Sequence, residues 1–253
     1  KDAEKEKTVI AVPEWEILEI EKNELKPKIW LFIYSDQNQI IRKIKAKNIA
    51  GFNRINWDLR SESINKISKL DDDEAGPLVA PGKYSAQLYK QIEGEFTDIT
   101  NKIKFIVKPL NQGSLKGSSY ETVVKFWQDV DQLKNKSNQL SNTIKETDKK
   151  INLMLKSYER AQYTDTSLHS NLLNLRQRIL EMQKKIGGSK VRAEIGEQNE
   201  YPRMRDYLWA ASGSSTYGPT KMHKKSLANA EKIFQQLDLE LTTIKKSFQP
   251  SAK

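Results

Sequence analysis

The side chains in this sequence that could carry chemistry are few and scattered. The two histidines, His169 and His223, lack the His-x-x-x-His or His-Glu-x-x-His spacing of helical metal sites. There is no cysteine, which excludes disulfides, thiol nucleophiles and thiolate metal ligands. Neither G-x-S-x-G nor G-x-x-x-x-G-K-[ST] occurs. We therefore predict no catalytic residues, no metal site and no cofactor, and we interpret the chain as non-enzymatic.

Four consecutive acids, Asp71, Asp72, Asp73 and Glu74, lie within a polar segment at 61–75. Carboxylates are ligands that calcium prefers, but the alternating ligand spacing and the glycine of a calcium loop are missing. We interpret the segment as a solvated acidic loop, with calcium binding as the alternative.

Basic residues alternate with aromatic residues in the segment 187–219. This interleaving is typical of surfaces that bind single-stranded nucleic acid, where aromatic rings stack on the bases and basic side chains neutralise the phosphates. The alternative is that residues 207–209 pack near Val123 and Trp127, on a long helix predicted at 119–162. The basic side chains of the segment would then face water. The second interpretation is the one we adopt. The candidate interface residues are Trp127, Tyr207, Trp209, Arg203 and Arg205.

The net charge of +10 is concentrated in the second half of the chain, where residues 111–253 hold 24 Lys and Arg against 15 Asp and Glu. An excess of this kind suggests nucleic acid or an anionic surface as a partner. On the first long helix, however, Asp129, Asp131, Glu146 and Asp148 are interspersed among the basic residues, as on a solvated helical face. We predict no specific nucleic-acid partner and keep nucleic-acid or anionic-polymer binding as the alternative function.

Three helical patterns account for this half. Residues 119–162 contain no proline or glycine, and their apolar positions recur every three or four residues, which predicts a helix of roughly 65 Å capped by Ser118 or Ser119. A second helix ends at Ile186 before Gly187 and Gly188, so it retraces only half of the first. A third begins near Pro219. We predict an elongated antiparallel three-helix coiled-coil bundle over 119–253, with a connector at 187–219 that includes a short helix over 202–211.

In the first half of the chain, apolar residues form short runs or alternate with polar residues, as they do in β-strands. The strands are predicted at 8–12, 15–20, 29–34, 39–47, 53–59, 83–90 and 103–107. Strands without intervening helices indicate a small antiparallel immunoglobulin-like β-sandwich over 1–110. Glycine and serine at 111–118 indicate a linker. The fold class is therefore α+β, in two domains.

Two motifs in this half resemble those of a known family. Residues 51–60 contain G-x-N-x-x-x-W-D-L-R, and residues 76–84 contain G-P-x-V-x-P-G-x-Y. Together they resemble the tail of secreted bacterial proteins whose N-terminal part is a sortilin-like (Vps10-type, BNR-repeat) β-propeller. In that tail an immunoglobulin-like sandwich, similar to that of the flagellar hook-capping protein, precedes a helical hairpin. The motif positions are Asn53, Trp57, Asp58, Gly76, Pro77, Pro81, Gly82 and Tyr84.

The resemblance implies an accessory region that serves as spacer, docking or assembly module beside a propeller, in a protein that is secreted, periplasmic or on the cell surface. The propeller itself lies outside this sequence, and the family's tail supplies no catalytic residues to carry over. The motif residues themselves suggest structural roles. Trp57 is expected to fill the gap between two sheets, Asp58 to cap backbone amides, and Pro81-Gly82 to form a tight turn with glycine at positive φ.

The chain opens with KDAEKEK, which has no initiator methionine and no signal peptide, so we interpret it as a fragment or mature form of a longer protein. No window has the roughly 18 apolar residues of a membrane span. The expected partners are an upstream β-propeller domain or another protein, and the helical arm is a candidate for oligomerisation.

Overall fold

A computed structural model describes residues 14–64, 75–110, 117–162, 165–198, 202–213 and 217–247. The fold is α+β, with a sheet of antiparallel strands in the N-terminal half and a helical C-terminal half. The chain forms two compact units. The first comprises Lys1–Arg60 and Pro81–Lys108, and the second comprises Ser61–Ala80 and Pro109–Lys253. The acidic run at 71–74, the strand predicted at 8–12 and most of the predicted linker lie outside the described residues.

The first unit is built on a five-stranded sheet. Its strands are β1 (Lys28–Ser35), β2 (Ile40–Ala46), β5 (Gly82–Ile92), β6 (Glu95–Asp98) and β7 (Ile103–Val107). The order is β2-β1-β5-β6, with β7 also paired to β5, and each described pairing is antiparallel. Phe32 lies opposite Gln87 on β5 and Lys43 on β2. Successive residues of a strand point to opposite faces, so Phe32 and Tyr34 share one face and Ile33 lies on the other.

Two predicted strands of this unit are wrong. Residues 15–20 belong to helix α1 (Trp15–Asn23), where Glu16 in the first turn and Lys22 in the last suit the helix dipole. This stretch holds three glutamates, which favour a helix, and Ile17 and Ile20 are three residues apart, which is a helical spacing.

Residues 53–59 form no strand either, because polar side chains satisfy the backbone locally. Asn53 Nδ2 donates to the carbonyls of Ile49 and Gly51 at 2.7 and 3.1 Å. Asp58 Oδ1 accepts from Arg60 N at 3.0 Å, the capping role expected of it. Leu59 has a φ of 58°, which no strand residue adopts. Side-chain bonds of this kind compete with a strand ladder, and here they replace it.

A short two-stranded sheet of β3 (Arg60–Glu62) and β4 (Ala75–Leu78) contains Gly76 and Pro77, the first residues of the second motif. Within the second unit, β4 contacts the first long helix, and Asn135 Nδ2 on that helix donates to Ile64 O at 2.7 Å. A Cβ on Gly76 would lie 2.5 Å from both Glu62 O and Ser61 Oγ. Only glycine therefore allows the two strands this close approach.

The helical half follows the predicted periods closely. The long helices are α2 (Tyr120–Arg160), α3 (Thr166–Gly187) and α6 (Lys221–Ser247), with short helices α4 (Lys190–Glu194) and α5 (Met204–Ala211) between α3 and α6. Ser119 Oγ accepts from Thr122 N and confirms the predicted cap of α2. Gly188 ends α3 with a φ of 91°. The apolar pattern of the third predicted helix extends to Phe248, which lies outside the described residues.

One large apolar cluster joins α2, α3, α5 and α6. Its fully buried members include Ile144, Ile151, Ile179, Met204 and Leu237. A smaller cluster at the start of α2 holds Phe126, Val130 and Ala211. Because α3 has 22 residues against 41 in α2, it covers only part of the α2 stripe, and α5 covers the next part. The predicted helix lengths indicate the same arrangement, because the second helix retraces only half of the first and leaves the rest to the connector.

Candidate functional site

Of the three connector residues predicted to pack on the helices, Tyr207 and Leu208 do so and Trp209 does not. Trp209 is 80% exposed, so the prediction that it covers α2 is wrong. Met204, Leu208 and Ala211 are buried at positions i, i+4 and i+7 of α5, which puts them on one face. Trp209 follows Leu208 and is turned about 100° away from that face. Tyr207 is partly buried against the large cluster, as expected.

The start of α2 is covered by small groups and by a histidine. The ring of Trp127 lies 5.0 Å from Phe126 and 5.6 Å from His223, centroid to centroid. A Cβ on Gly213 would come within 2.7 Å of the Trp127 ring, so backbone alone fits there. Ala211 fills the space beside Phe126. Trp127 therefore has a packing role within the helical unit.

Arg203 ties the start of α5 to the end of α3. Its guanidinium makes a two-pronged ion pair with Asp206, with bonds of 2.7 and 2.8 Å, and donates to Gly187 O at 3.2 Å. The hydrogen bond from Arg203 is the main cause of a lowered pKa at Asp206. Arg205 is exposed, with its guanidinium beside Gly187. Of the two arginines in the predicted interface, Arg203 makes these contacts within the helical unit.

The histidines have structural partners as well. The ring of His169 stacks on Tyr158, with centroids 5.0 Å apart. His223 accepts from Thr220 N at Nδ1, while its own backbone N–H donates to Thr220 Oγ1. Among the residues that the structure describes, no group of three or more His, Cys, Asp or Glu is placed to hold a metal ion.

A hydrogen-bonded network lies on one face of the five-stranded sheet. The Tyr34 and Tyr89 hydroxyls are 2.7 Å apart, and the Tyr89 hydroxyl donates to Gln87 Oε1 at 2.7 Å. The buried Gln87 donates from Nε2 to Asp98 Oδ2 and to Thr100 O. Burial is the main reason that the pKa of Tyr34 is raised well above its usual value, so this hydroxyl stays protonated. The amide of Gln87 is fully used, as a structural network requires.

Basic side chains lie over the aromatic rings of this face. Lys43 Nζ lies 4.9 Å from the centroid of Phe32, and Lys102 Nζ lies 3.8 Å from that of Tyr34. Lys102 also donates to Asn38 Oδ1. Cation–π contacts of this kind cover Phe32 and Tyr34, which are both buried. Sequence reasoning missed the network, because its members are brought together only by strand pairing.

The first motif lies against the opposite face of the sheet. The ring of Trp57 makes edge-on contacts with Tyr84 and Phe105 at 5.5 and 6.0 Å, and its Nε1 donates to Arg60 O at 2.8 Å. Trp57 is only partly buried. Burial raises the pKa of Tyr84.

The second motif is less turn-like than expected. Gly82 is the first residue of β5, paired with Val107, and it does not have the positive φ predicted for a tight turn. A Cβ at this position would make only an ordinary contact, 3.9 Å from the Tyr84 ring. Pro77 lies in β4, where its carbonyl accepts from Ser61 Oγ at 3.3 Å. Pro81 directly precedes β5.

An apolar groove of about 680 Å³ lies where α2 ends and α3 begins, and sequence reasoning did not single it out. Leu153, Met154 and Leu168 are 56%, 41% and 48% exposed there, which is high for large apolar side chains. The apolar and aromatic lining consists of Leu153, Met154, Tyr158, Ala161, Leu168 and Leu172, and we call it the tip groove. The signal in the sequence is a second apolar stripe at 153, 154 and 168, beside the buried one.

Leu172 connects the tip groove with the core. It lines the groove but is buried, and it belongs to the large apolar cluster that joins α2, α3, α5 and α6.

Comparisons with models of protein families, with curated proteins and with solved structures find no match. Among the described residues, no helix combines the length and the apolar character needed to cross a bilayer.

Proposed function

We propose that this chain is a non-catalytic interaction region of a larger secreted or surface protein, which docks a protein partner through the tip groove. The observation that carries the proposal is the exposure of Leu153, Met154 and Leu168 along one continuous groove. Large apolar side chains gathered on a surface mark interaction sites more often than they serve the fold. The expected setting, beside an upstream β-propeller, rests on the resemblance of the two motifs.

The finer architecture is part of the same proposal. We take the first unit as an immunoglobulin-like sandwich, supported by its antiparallel pairing and by the aromatic contacts of Trp57. We take the helices as a three-helix coiled coil, supported by the regular burial along α2, α3 and α6. In such a bundle the end of α2 and the start of α3 form an arm that displays the groove.

A non-catalytic role agrees with how the titratable groups are used. Tyr34 is held protonated, the Gln87 amide is saturated, and Arg203 and Asp206 neutralise each other. The pKa of Asp165 is lowered mainly by the Ser167 hydroxyl, in its role as the cap of α3. Each of these groups has a structural task.

The proposal is tested with an environment-sensitive apolar dye. We expect the unaltered chain to bind the dye with a blue-shifted emission, and Leu153→Glu combined with Met154→Glu to lose at least about 80% of the signal, because a buried carboxylate is strongly disfavoured. The matched control is Leu239→Glu, at a leucine of α6 that is 71% exposed. Equal dye binding by all three proteins, with equal helicity by circular dichroism, would show that the groove is not a docking site.

The alternative function is binding of nucleic acid or another anionic polymer, which the charge of the helical half favours. Against it, some cations of this half form ion pairs with nearby carboxylates. Lys125 pairs with Asp129 at 2.7 Å, and Lys184 with Glu181 at 2.7 Å. Paired cations attract phosphates less than a continuous basic stripe does.

We therefore expect only weak, salt-sensitive binding to duplex and single-stranded DNA, with dissociation constants of about 10⁻⁴–10⁻⁶ M at physiological salt. Fluorescence anisotropy against several sequences, at two salt concentrations, measures this. A nanomolar complex that depends on sequence would replace the docking proposal by the alternative. Equal weak affinity for all sequences supports our assignment.

A further inference from the structure

We infer that the partner of the tip groove is the tip groove of a second copy of this chain, bound in an antiparallel arrangement about a two-fold axis. This inference rests on the proposed function, because it names the partner of the same site. It is drawn from the apolar lining of the groove and from the charges at its two ends.

The charges of the groove are placed at its two ends and are opposite in sign. Lys150 lies at one end, about three turns before the end of α2, and Asp165 lies at the other, where α3 begins. The lining between them is apolar apart from the hydroxyls of Ser157 and Tyr158. When two copies meet head to tail, each Lys150 lies beside the Asp165 of the other copy.

Self-complementarity of this kind fits a closed dimer. In a two-fold interface the same patch is used by both copies, so a patch with a positive and a negative end pairs with itself only in the antiparallel orientation. The parallel orientation would set Lys150 against Lys150 and Asp165 against Asp165. Like charges at an interface suppress the wrong orientation. The groove therefore specifies both the partner and its direction.

Asp165 keeps its negative charge in this role. The three hydrogen bonds that cap α3, from Ser167 N, Leu168 N and the Ser167 hydroxyl, are all accepted by Oδ1. These bonds lower the pKa of the carboxyl group. The cap therefore holds the carboxylate in a fixed position at the groove end and favours its ionised form.

The apolar lining sets the strength of the dimer. Covering the exposed parts of Leu153, Met154 and Leu168 in both copies buries less surface than the roughly 1,200 Å² at the lower end of stable specific interfaces. We expect a dissociation constant of about 10–100 μM. The dimer is thus a weak one by itself, and its strength rises when two longer proteins are held together elsewhere.

Sedimentation equilibrium of the full chain between about 1 and 500 μM tests the dimer. We expect a monomer–dimer equilibrium that Leu153→Glu weakens at least about 100-fold, because two carboxylates enter an apolar interface. Lys150→Glu should weaken it about tenfold by reversing two ion pairs, and Leu239→Glu should leave it unchanged. A chain that stays monomeric up to 500 μM, or a dimer that Leu153→Glu does not weaken, overturns the inference.

The orientation is tested by cysteine crosslinking, because the chain contains no cysteine of its own. In the antiparallel dimer the middle of the groove lies on the two-fold axis, so Ser157→Cys should form a disulfide with its own copy on mild oxidation. Lys150→Cys, at one end, should not. The control Ser170→Cys, at an exposed position of α3 outside the groove, should not either. Efficient crosslinking of Lys150→Cys but not of Ser157→Cys would contradict the antiparallel arrangement.

The dye experiment separates this inference from the proposed function. A groove that binds dye in a strictly monomeric chain leaves the docking function in place and excludes the second copy as partner. If another segment of the same chain occupied the groove, the association state would not change with protein concentration, and the unaltered protein would not bind the dye. This result overturns both proposals.

Discussion

Replacing Ile151 by alanine should lower the free energy of unfolding of the helical unit by about 3 kcal/mol or more, as expected for a large-to-small change in a core. Ile151 has no exposed surface and lies in the cluster that joins α2, α3, α5 and α6. The cavity left by the missing atoms cannot close easily, because the surrounding side chains are close-packed in the core.

The matched control for this change is Leu153→Ala, two residues along the same helix. Leu153 is 56% exposed in the tip groove, so its truncation should cost only about 0.5 kcal/mol. Urea denaturation followed by circular dichroism at 222 nm, at about 1 μM protein to keep the chain monomeric, reports mainly on the helices. If Leu153→Ala costs as much as Ile151→Ala under these conditions, the groove residue is part of the core, and its exposure carries no functional meaning.

The second large effect is expected in the first unit. Trp57→Ala should destabilise the sheet by about 2–4 kcal/mol, below the loss expected for a fully buried tryptophan, because Trp57 is only partly buried. The ring holds edge-on contacts with Tyr84 and Phe105, and its Nε1–H donates to Arg60 O. Truncation removes the ring contacts and the hydrogen bond together.

Trp57→Phe separates these contributions. It keeps an aromatic ring against Tyr84 and Phe105 but loses the donor to Arg60 O, so we expect a loss of about 1 kcal/mol. Amide hydrogen exchange of peptides from β5 and β7 measures both variants, because it reports local stability of the sheet without relying on a single unfolding transition of a two-unit protein. Unchanged protection in Trp57→Ala would mean that the ring is not part of the packing and would make a ligand-stacking role the better interpretation.

The sequence by itself determined the long helices of this protein. Each signal depends on residues within a few positions of one another. The signals are the cap at Ser119, the helix end at Gly188, and the apolar stripe at 123, 130, 133, 140, 144, 151 and 155. A helix closes its hydrogen bonds within one turn, so period and caps are local signals and can be read without knowing the partner. The sequence also predicted β1 from a dense apolar and aromatic run, and β5 from the alternation of Tyr84, Ala86 and Leu88 with polar residues, and both match the observed strands closely.

Tertiary structure decided the remaining features. Residues 53–59 alternate like a strand, yet none of the described strands pairs with them, and the side chains of Asn53 and Asp58 bond to the nearby backbone instead. Trp209 is the largest apolar side chain of the connector, but the turn of α5 that buries Leu208 directs it to solvent. The network of Tyr34, Gln87, Tyr89 and Asp98 requires strands far apart in sequence to pair in one register.

The tip groove shows the same limit most clearly. Ile151 and Leu155 continue the apolar period of α2, whereas Leu153 and Met154 lie outside it, so the sequence indicates which pair is buried. It does not indicate that Leu153 and Met154 line one groove together with Leu168 of α3, because this depends on how the two helices pack. Burial is a property of three-dimensional neighbours, whereas helical period is a property of the chain, so the sequence predicted the helix and only the fold revealed the groove.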